Sequence, residues 1–286
     1  MYPAQFEYHK AGSVKEALDL LAKHKDDAKV LAGGHSLLPA MKLRLAQPKH
    51  VIDIGKISSL SGVKEEGGTL VIGALTTHYA IESSAVLKSK SPLMPEVAGH
   101  VGDPMVRNMG TIGGSLAHAD PAADWPAAVI ALGVELVAEG PMGKRTIKID
   151  DFFKGLLTTA LADDEILTEI RVPAAAANEK SAYMKFPHPA SRFAVVGVAA
   201  VLTMDGGKIG KASIGLTGAG TKAIRAKGVE AAIAGKAADA ASIQSAAEKA
   251  AEGVDVQADL QGSVEYKQHL LRVFAKRAME AAAAKK

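Results

Sequence analysis

Strands and helices fall in separate runs along this chain, which makes it an α+β protein with an N-terminal part of two subdomains and a C-terminal part in which a small antiparallel sheet carries helices. Three features carry that reading. A strand, a glycine pair, a helix and a second strand follow one another between Lys29 and Ile54. Strand patterns at Val134–Ile149 and Glu165–Val172 then complete a second unit. Beyond Ala182, three strand patterns give way to alanine-rich helices. The domains are therefore 1–175, with subdomains of about 1–55 and 56–175, and 176–286.

Ser13-Val14-Lys15-Glu16 has the spacing of a capping box, and Val14, Ala17, Leu18 and Leu21 share one helical face, so a helix runs to about Lys23. Lys29-Val30-Leu31 is a short strand. Leu37–Leu45 is a helix that tolerates Pro39 in its first turn, and Val51–Ile54 is a buried strand. Thr69–Ala74 reads as a strand and Pro95–His100 as a helix. Asp124-Trp125-Pro126 starts an apolar helix that ends near Leu132, with Asp124 as the N-cap. A hairpin of Val134–Ala138 with Lys144–Ile149 follows, then the alternating strand Glu165–Val172 and the connector Pro173–Asn178, where the domain boundary is placed.

The C-terminal part opens with a strand at Ala182–Phe186. Ala194–Met204 pairs with Lys208–Leu216 across Asp205-Gly206-Gly207, a strong hairpin signal. Helices are expected at Lys222–Ala234, Asp239–Ala251 and Ser263–Ala284. No internal repeat of fixed period is visible.

Composition narrows the function classes. The 286 residues, nearly half of them apolar, are enough for more than one core. Lys and Arg exceed Asp and Glu by only three, with no basic stripe, so nucleic acid is not an expected partner. The absence of cysteine excludes disulfides, a catalytic thiol and iron–sulfur clusters held by this chain's own thiolates. The first residues, Met1-Tyr2-Pro3-Ala4-Gln5-Phe6-Glu7, lack the basic and apolar regions of a signal peptide, and no apolar run reaches the length of a membrane span. A cytoplasmic location without a transmembrane segment is the expectation.

The strongest functional signal is a pair of glycine loops, Ala32-Gly33-Gly34-His35-Ser36 and Thr111-Ile112-Gly113-Gly114-Ser115. Two residues without a Cβ beside a hydroxyl let the backbone approach a ligand and point N–H groups at a polyanion. One Gly-Gly alone is most often a turn; two of the same pattern suggest one long phosphate-bearing cofactor. The first loop lacks the third glycine of G-x-G-x-x-G, so Asp53, about 20 residues on, reads as an ordinary strand-end carboxylate. No G-x-x-x-x-G-K-[ST] occurs. His35 is read as shaping its loop or offering a hydrogen bond at the ligand's edge. His118, Asp120 and Asp124 match no standard ligand spacing, so no metal site is expected. Asp124 has two compatible roles, helix cap and acceptor for cofactor hydroxyls. Read from the residues alone, Lys185 is a solvated strand lysine and Phe193 a packing residue.

Together with Phe6-Glu7-Tyr8-His9, Leu37-Leu38-Pro39, Met109-Gly110 and Ile214-Gly215-Leu216-Thr217, these loops resemble the FAD-binding medium subunits of bacterial molybdenum hydroxylases, the xanthine dehydrogenase family, most closely those of aerobic carbon monoxide dehydrogenases. The resemblance covers essentially the whole chain. It implies a two-subdomain FAD domain of the vanillyl-alcohol-oxidase type, followed by a three-stranded antiparallel sheet with a helical bundle. It also implies that both glycine loops hold the FAD pyrophosphate, with cofactor contacts at Ala32, Gly33, Gly34, His35, Ser36, Leu37, Gly110, Thr111, Ile112, Gly113, Gly114, Ser115 and Ala117. Asp124 would contact the cofactor, backbone at Ile166 and Leu167 would border the isoalloxazine, Lys185 would lie near the ring and Phe193 would cover one ring face. Many relatives carry Asn or Asp where Ser115 stands, and carbon monoxide enzymes typically carry Tyr where Phe193 stands.

The function so implied is electron transfer. Electrons pass from a molybdenum cofactor on a large subunit, through two [2Fe–2S] clusters on a small subunit, to FAD here and on to an external acceptor. The assembly implied is a dimer of heterotrimers. No residue of this chain acts as a catalyst on the organic substrate, so no catalytic residue is assigned. Two other readings compete: a stand-alone FAD-dependent oxidase acting directly on a small molecule, and a scaffold that has lost its cofactor, against which the intact loops stand.

Overall fold

The N-terminal capping box forms with one variation. Ser13 Oγ accepts from the Glu16 N–H at 3.1 Å, while Glu16 Oε2 reaches one residue further back than usual, to the Gly12 N–H at 2.7 Å. In this computed structural model, which describes residues 1–285, the cap starts helix α1 (Val14–His24) after strand β1 (Glu7–Lys10). Strand β2 (Ala28–Leu31), helix α2 (Leu37–Lys42) and strand β3 (His50–Asp53) follow. The three strands form a parallel sheet in the order β1-β3-β2. Ala17 and Leu21 of α1 pack on its Ile52, with Ile54 and Ile57 completing that core. Helix α2 is shorter than the expected Leu37–Leu45, because Arg44 takes a left-handed φ of 60° and turns the chain away.

The second unit adds β4 (Val63–Glu66) and β5 (Thr69–Gly73), then the short helices α3 (His78–Ser83), α4 (Ala85–Lys90), α5 (Leu93–His100), α6 (Pro104–Met109) and α7 (Ile112–His118). Helix α8 (Trp125–Leu132), β6 (Glu135–Gly140), β7 (Gly143–Lys148), the small hairpin β8 (Phe153–Gly155) with β9 (Thr158–Thr159), and β10 (Ile166–Pro173) complete it. A five-stranded antiparallel sheet runs β4-β5-β10-β6-β7. Its core holds Leu70, Ile72, Trp125 and Phe152. The sequence reading missed β4, α3, α4 and α6, which are only one or two turns or four residues long and too short to show a period. It also treated the second glycine pair as a loop. Gly113 and Gly114 in fact lie in the first turn of α7, capped by Thr111.

In the C-terminal part, β11 (Glu179–Pro187), β12 (Ala194–Asp205) and β13 (Lys208–Thr217) form the expected three-stranded meander, with Asp205 opposite Lys208 across Gly206-Gly207. Two strands of two residues, β14 (Ile224–Arg225) and β15 (Lys236–Ala237), also pair with β13. Helix α9 (Lys227–Ile233) is therefore shorter than Lys222–Ala234, since its first turn is spent on β14. Helices α10 (Ala240–Ala247) and α11 (Val264–Ala284) complete the layer, and Leu271, Phe274, Ala278 and Met279 of α11 seal a core against Val198 and Ile214 of the sheet. Among the described residues no helix is long and apolar enough to cross a membrane.

Candidate functional site

The first glycine loop leaves the C-terminal edge of the parallel sheet, between β2 and α2. Gly34 has φ of +76°, a conformation that a residue with a Cβ adopts only under strain. Gly33 is needed for a different reason. A Cβ there would fall on the Met109 carbonyl oxygen and lie 2.8 Å from Gly110 Cα. The two glycine segments, about 75 residues apart in sequence, are thus packed backbone to backbone. His35 turns back on its own loop, with Nδ1 3.0 Å from the Gly33 carbonyl. Among the described residues, the N–H groups of Gly33, Gly34, His35, Ser36 and Leu37 donate to no protein acceptor, and Ser36 Oγ makes no capping bond. Five successive free donors can receive anionic oxygens.

The second pair is built differently. Thr111 Oγ1 accepts from the Gly114 N–H at 3.1 Å, the Ile112 N–H donates to Thr76 O at 3.1 Å and the Gly113 N–H donates to Ala74 O at 2.9 Å. A Cβ on Gly113 would stand 2.6 Å from that same Ala74 oxygen. The expectation of free donors at both pairs therefore needs correcting: here Ile112, Gly113 and Gly114 spend their N–H groups inside the protein. What the second pair supplies is close approach, with Ser115 half-buried and Ala117 exposed on the helix that follows. Ala74 also donates its own N–H to Thr168 O at 2.9 Å, so the end of β10 is tied to this turn. The Ile166 and Leu167 side chains are buried in two different cores, which leaves only their backbone for any ligand.

Asp124 and Lys185 come together out of solvent. Lys185 Nζ donates to the Asp124 carboxylate at 2.9 Å and to His100 O at 2.9 Å, and the Tyr183 hydroxyl donates to Asp124 Oδ1 at 2.6 Å. The Lys185 side chain is only 3% exposed, so it is not the solvated lysine its strand position suggests. Asp124 makes no side-chain capping bond, because its carboxylate is committed to β11 instead. Burial pushes the Asp124 carboxyl upward, and the two donors beside it oppose that shift. Burial, with Asp124 second, raises the Tyr183 phenol well above its ordinary value. The cluster joins the N-terminal end of α8 to the C-terminal sheet.

Further bonds fix the connection between α7 and α8. Thr217 Oγ1 lies 2.6 Å from Pro121 O and 2.8 Å from Ala123 O, the Gly218 N–H donates to Pro121 O at 2.7 Å, and the Ala194 N–H donates to Ala122 O at 3.0 Å. Phe193, adjacent to this seam, is 44% exposed and so is not a core residue. The residues that sequence reasoning passed over include Tyr183, whose place two positions before Lys185 on one strand face was a usable signal. His78 had none. It is buried, accepts the Trp125 indole N–H on Nδ1 at 3.0 Å, donates its backbone N–H to Gly110 O at 3.0 Å, and burial drives its imidazole pKa down to about 4.

Comparison with known proteins identifies the family of the chain. Residues 4–175 match the family described as FAD binding domain in molybdopterin dehydrogenase, and residues 181–282 match the CO dehydrogenase flavoprotein C-terminal domain. The chain belongs to this family of FAD-binding subunits. It is 44% identical to the carbon monoxide dehydrogenase medium chain of Hydrogenophaga pseudoflava over 99% of its own length and 98% of that protein. To the medium chain of Afipia carboxidovorans it is 39% identical, over 100% and 99%. Superposed on a chain of the Hydrogenophaga pseudoflava carbon monoxide dehydrogenase that lacks the Mo-pyranopterin moiety, it gives a TM-score of 0.97 at 46% identity, covering 99% of each chain. It is thus a medium, FAD-binding subunit of the carbon monoxide dehydrogenase type, an oxidoreductase component. The donor set of this medium subunit suits its cofactor: the free N–H run at Gly33–Leu37 has the chemistry to receive an anionic diphosphate.

Proposed function

We propose that this medium subunit is the electron-transfer flavoprotein of a heterotrimeric molybdenum hydroxylase, and that Ala32–Leu37 and Gly110–Ser115 together hold the FAD diphosphate. The observation that carries the proposal is the row of free N–H groups from Gly33 to Leu37, held in place by Met109 and Gly110. In this reading, Ala117 and the backbone at Ile166 and Leu167 flank the cofactor, Asp124 and Lys185 act from beneath it as a buried pair, and the exposed Phe193 covers one ring face. Bound FAD accepts electrons singly from clusters and releases them singly or in pairs.

A chain without cysteine cannot hold the clusters itself, so an iron–sulfur small subunit with two [2Fe–2S] centres and a molybdenum-cofactor large subunit must supply the electrons. A dimer of heterotrimers, a cytoplasmic location and a domain division at residues 175/176 belong to the same proposal. The test is anaerobic reduction of the flavin. In the assembled complex the flavin is reduced by the complex's substrate, and in the isolated subunit it is not. Reduction and turnover of a small molecule by the isolated subunit would instead establish the stand-alone oxidase.

A further inference from the structure

A second cluster of ligating side chains lies in the small N-terminal subdomain, away from the glycine loops. His9 stands on β1, His24 is the last residue of α1 and His50 is the first of β3. The packing of α1 over the parallel sheet brings their rings together. The centroids of His24 and His50 are 3.7 Å apart, those of His9 and His24 4.9 Å, and His9 Nε2 lies 3.1 Å from His50 Nδ1. One nitrogen from each ring falls within 4.8 Å of the other two. Glu7 adds a carboxylate, with Oε2 3.4 Å from His50 Nδ1 and 3.9 Å from His9 Nε2. Parallel register sets His50 beside Ala28 at the start of β2, whereas the glycine loop leaves the other end of that strand after Leu31.

Three imidazoles packed this closely need a reason to stay together. Charged rings at these distances would repel one another, so an ion shared between them is a physical reason for the cluster. A metal ion binds imidazole through an unprotonated nitrogen, and each of the three rings brings one nitrogen to the cluster. His24 Nε2 is buried without a hydrogen-bond partner among the described residues, an unfavourable state that a bound ion would relieve. Two nitrogens at ~2.0–2.1 Å from a tetrahedral zinc ion stand ~3.4 Å apart. The observed nitrogen spacings, 3.1 Å between His9 and His50 and within 4.8 Å for the set, span that value.

We propose that His9, His24 and His50 form a binding site for a divalent transition-metal ion, Zn2+ in the first instance, with the Glu7 carboxylate as fourth ligand. Nitrogen ligands with a single carboxylate suit Zn2+, Co2+, Ni2+ or Cu2+ and disfavour Mg2+ and Ca2+, which demand oxygen shells. The ion cross-links β1, α1 and β3. It is structural, since it sits at the end of the sheet opposite the glycine loop. The spacing of the three histidines in sequence follows no metal motif, and the expectation of no metal site rests on His118, Asp120 and Asp124 instead.

The test uses the full FAD-loaded chain, stripped with chelator, dialysed against Zn2+ and analysed for bound metal, with Co2+ titrated in parallel. The wild type retains about one ion per chain, gives the intense visible bands of tetrahedral Co2+, and melts at a higher temperature with Zn2+ than without. His24→Gln and His50→Gln lose retention by at least about tenfold and lose the melting shift, while keeping the flavin content of the wild type. Equal retention in wild type and variants, or none in the wild type, overturns the proposal. X-ray absorption on the wild-type Zn2+ protein needs no variant: scattering from three imidazoles supports the site, and its absence overturns it.

Discussion

The carbonyl oxygen of Met109 occupies the place where a side chain on residue 33 would stand. Gly33→Ala must therefore separate the two glycine segments, at an overpacking cost of about 1–3 kcal/mol, and disturb the row of N–H groups beside it. The expected result is a folded protein with little flavin per chain, read by absorbance after desalting. Full flavin content in this variant would show that the approach of Gly33 to Met109 does not govern retention.

Asp124 and Lys185 form a buried pair whose halves belong to different parts of the chain. Removing one partner strands the other, so Lys185→Met alone lowers stability by about 3–5 kcal/mol, and the double variant Lys185→Met with Asp124→Leu recovers a large part of that loss. Urea unfolding of the single and double variants measures the coupling. Additive losses would mean that the pair is not coupled.

His78 gives a pH signature. Its pKa is about 4 when folded, against an ordinary value of 6.5, so the unfolded chain takes up the proton first as pH falls. The stability tied to neutral His78 is fully present above pH 6.5 and is lost as pH drops towards 4, by up to about 3 kcal/mol. His78→Gln keeps an acceptor for the Trp125 indole and removes this titration. Its urea midpoint should then fall less steeply than that of the wild type across the same window.

Thr217 ties the chain between α7 and α8 to the C-terminal sheet through two carbonyls. Thr217→Val keeps the shape, deprives Ala123 O of the hydroxyl and leaves Pro121 O with the Gly218 N–H alone, at about 1–3 kcal/mol. Hydrogen exchange at residues 118–124 should rise in this variant. Unchanged protection there would mean that Gly218 and Ala194 suffice.

Phe193→Ala removes an exposed ring, so stability should move by no more than about 0.5 kcal/mol. If the ring covers the flavin, the reduction potential of the bound cofactor changes in the same variant. An unchanged potential would remove Phe193 from the site.

Much of the fold was legible because long elements announce themselves: the capped α1 and α11, the β12–β13 hairpin and β10 all lie where pattern and turn residues place them. The glycine pairs were legible as a pair. Their division of labour was not, since whether Gly113 offers its N–H to a ligand or to Ala74 depends on a strand about 40 residues earlier. The same is true of Lys185, whose charge is hidden by a carboxylate 61 positions away. Local pattern carries the elements, and long-range packing decides which polar groups remain free. His9, His24 and His50 are the extreme case, brought together only by the way one helix crosses one sheet.

The first glycine loop is held from outside, by the backbone of Met109 and Gly110, rather than by anything it binds. Its shape is therefore set by contacts within the chain, so the entropy of ordering it falls on folding rather than on binding. Cofactor loading becomes a late and reversible event. If the loop holds the flavin diphosphate as proposed, flavin removed under mild conditions is expected to return, or to exchange for an analogue, without unfolding of the chain.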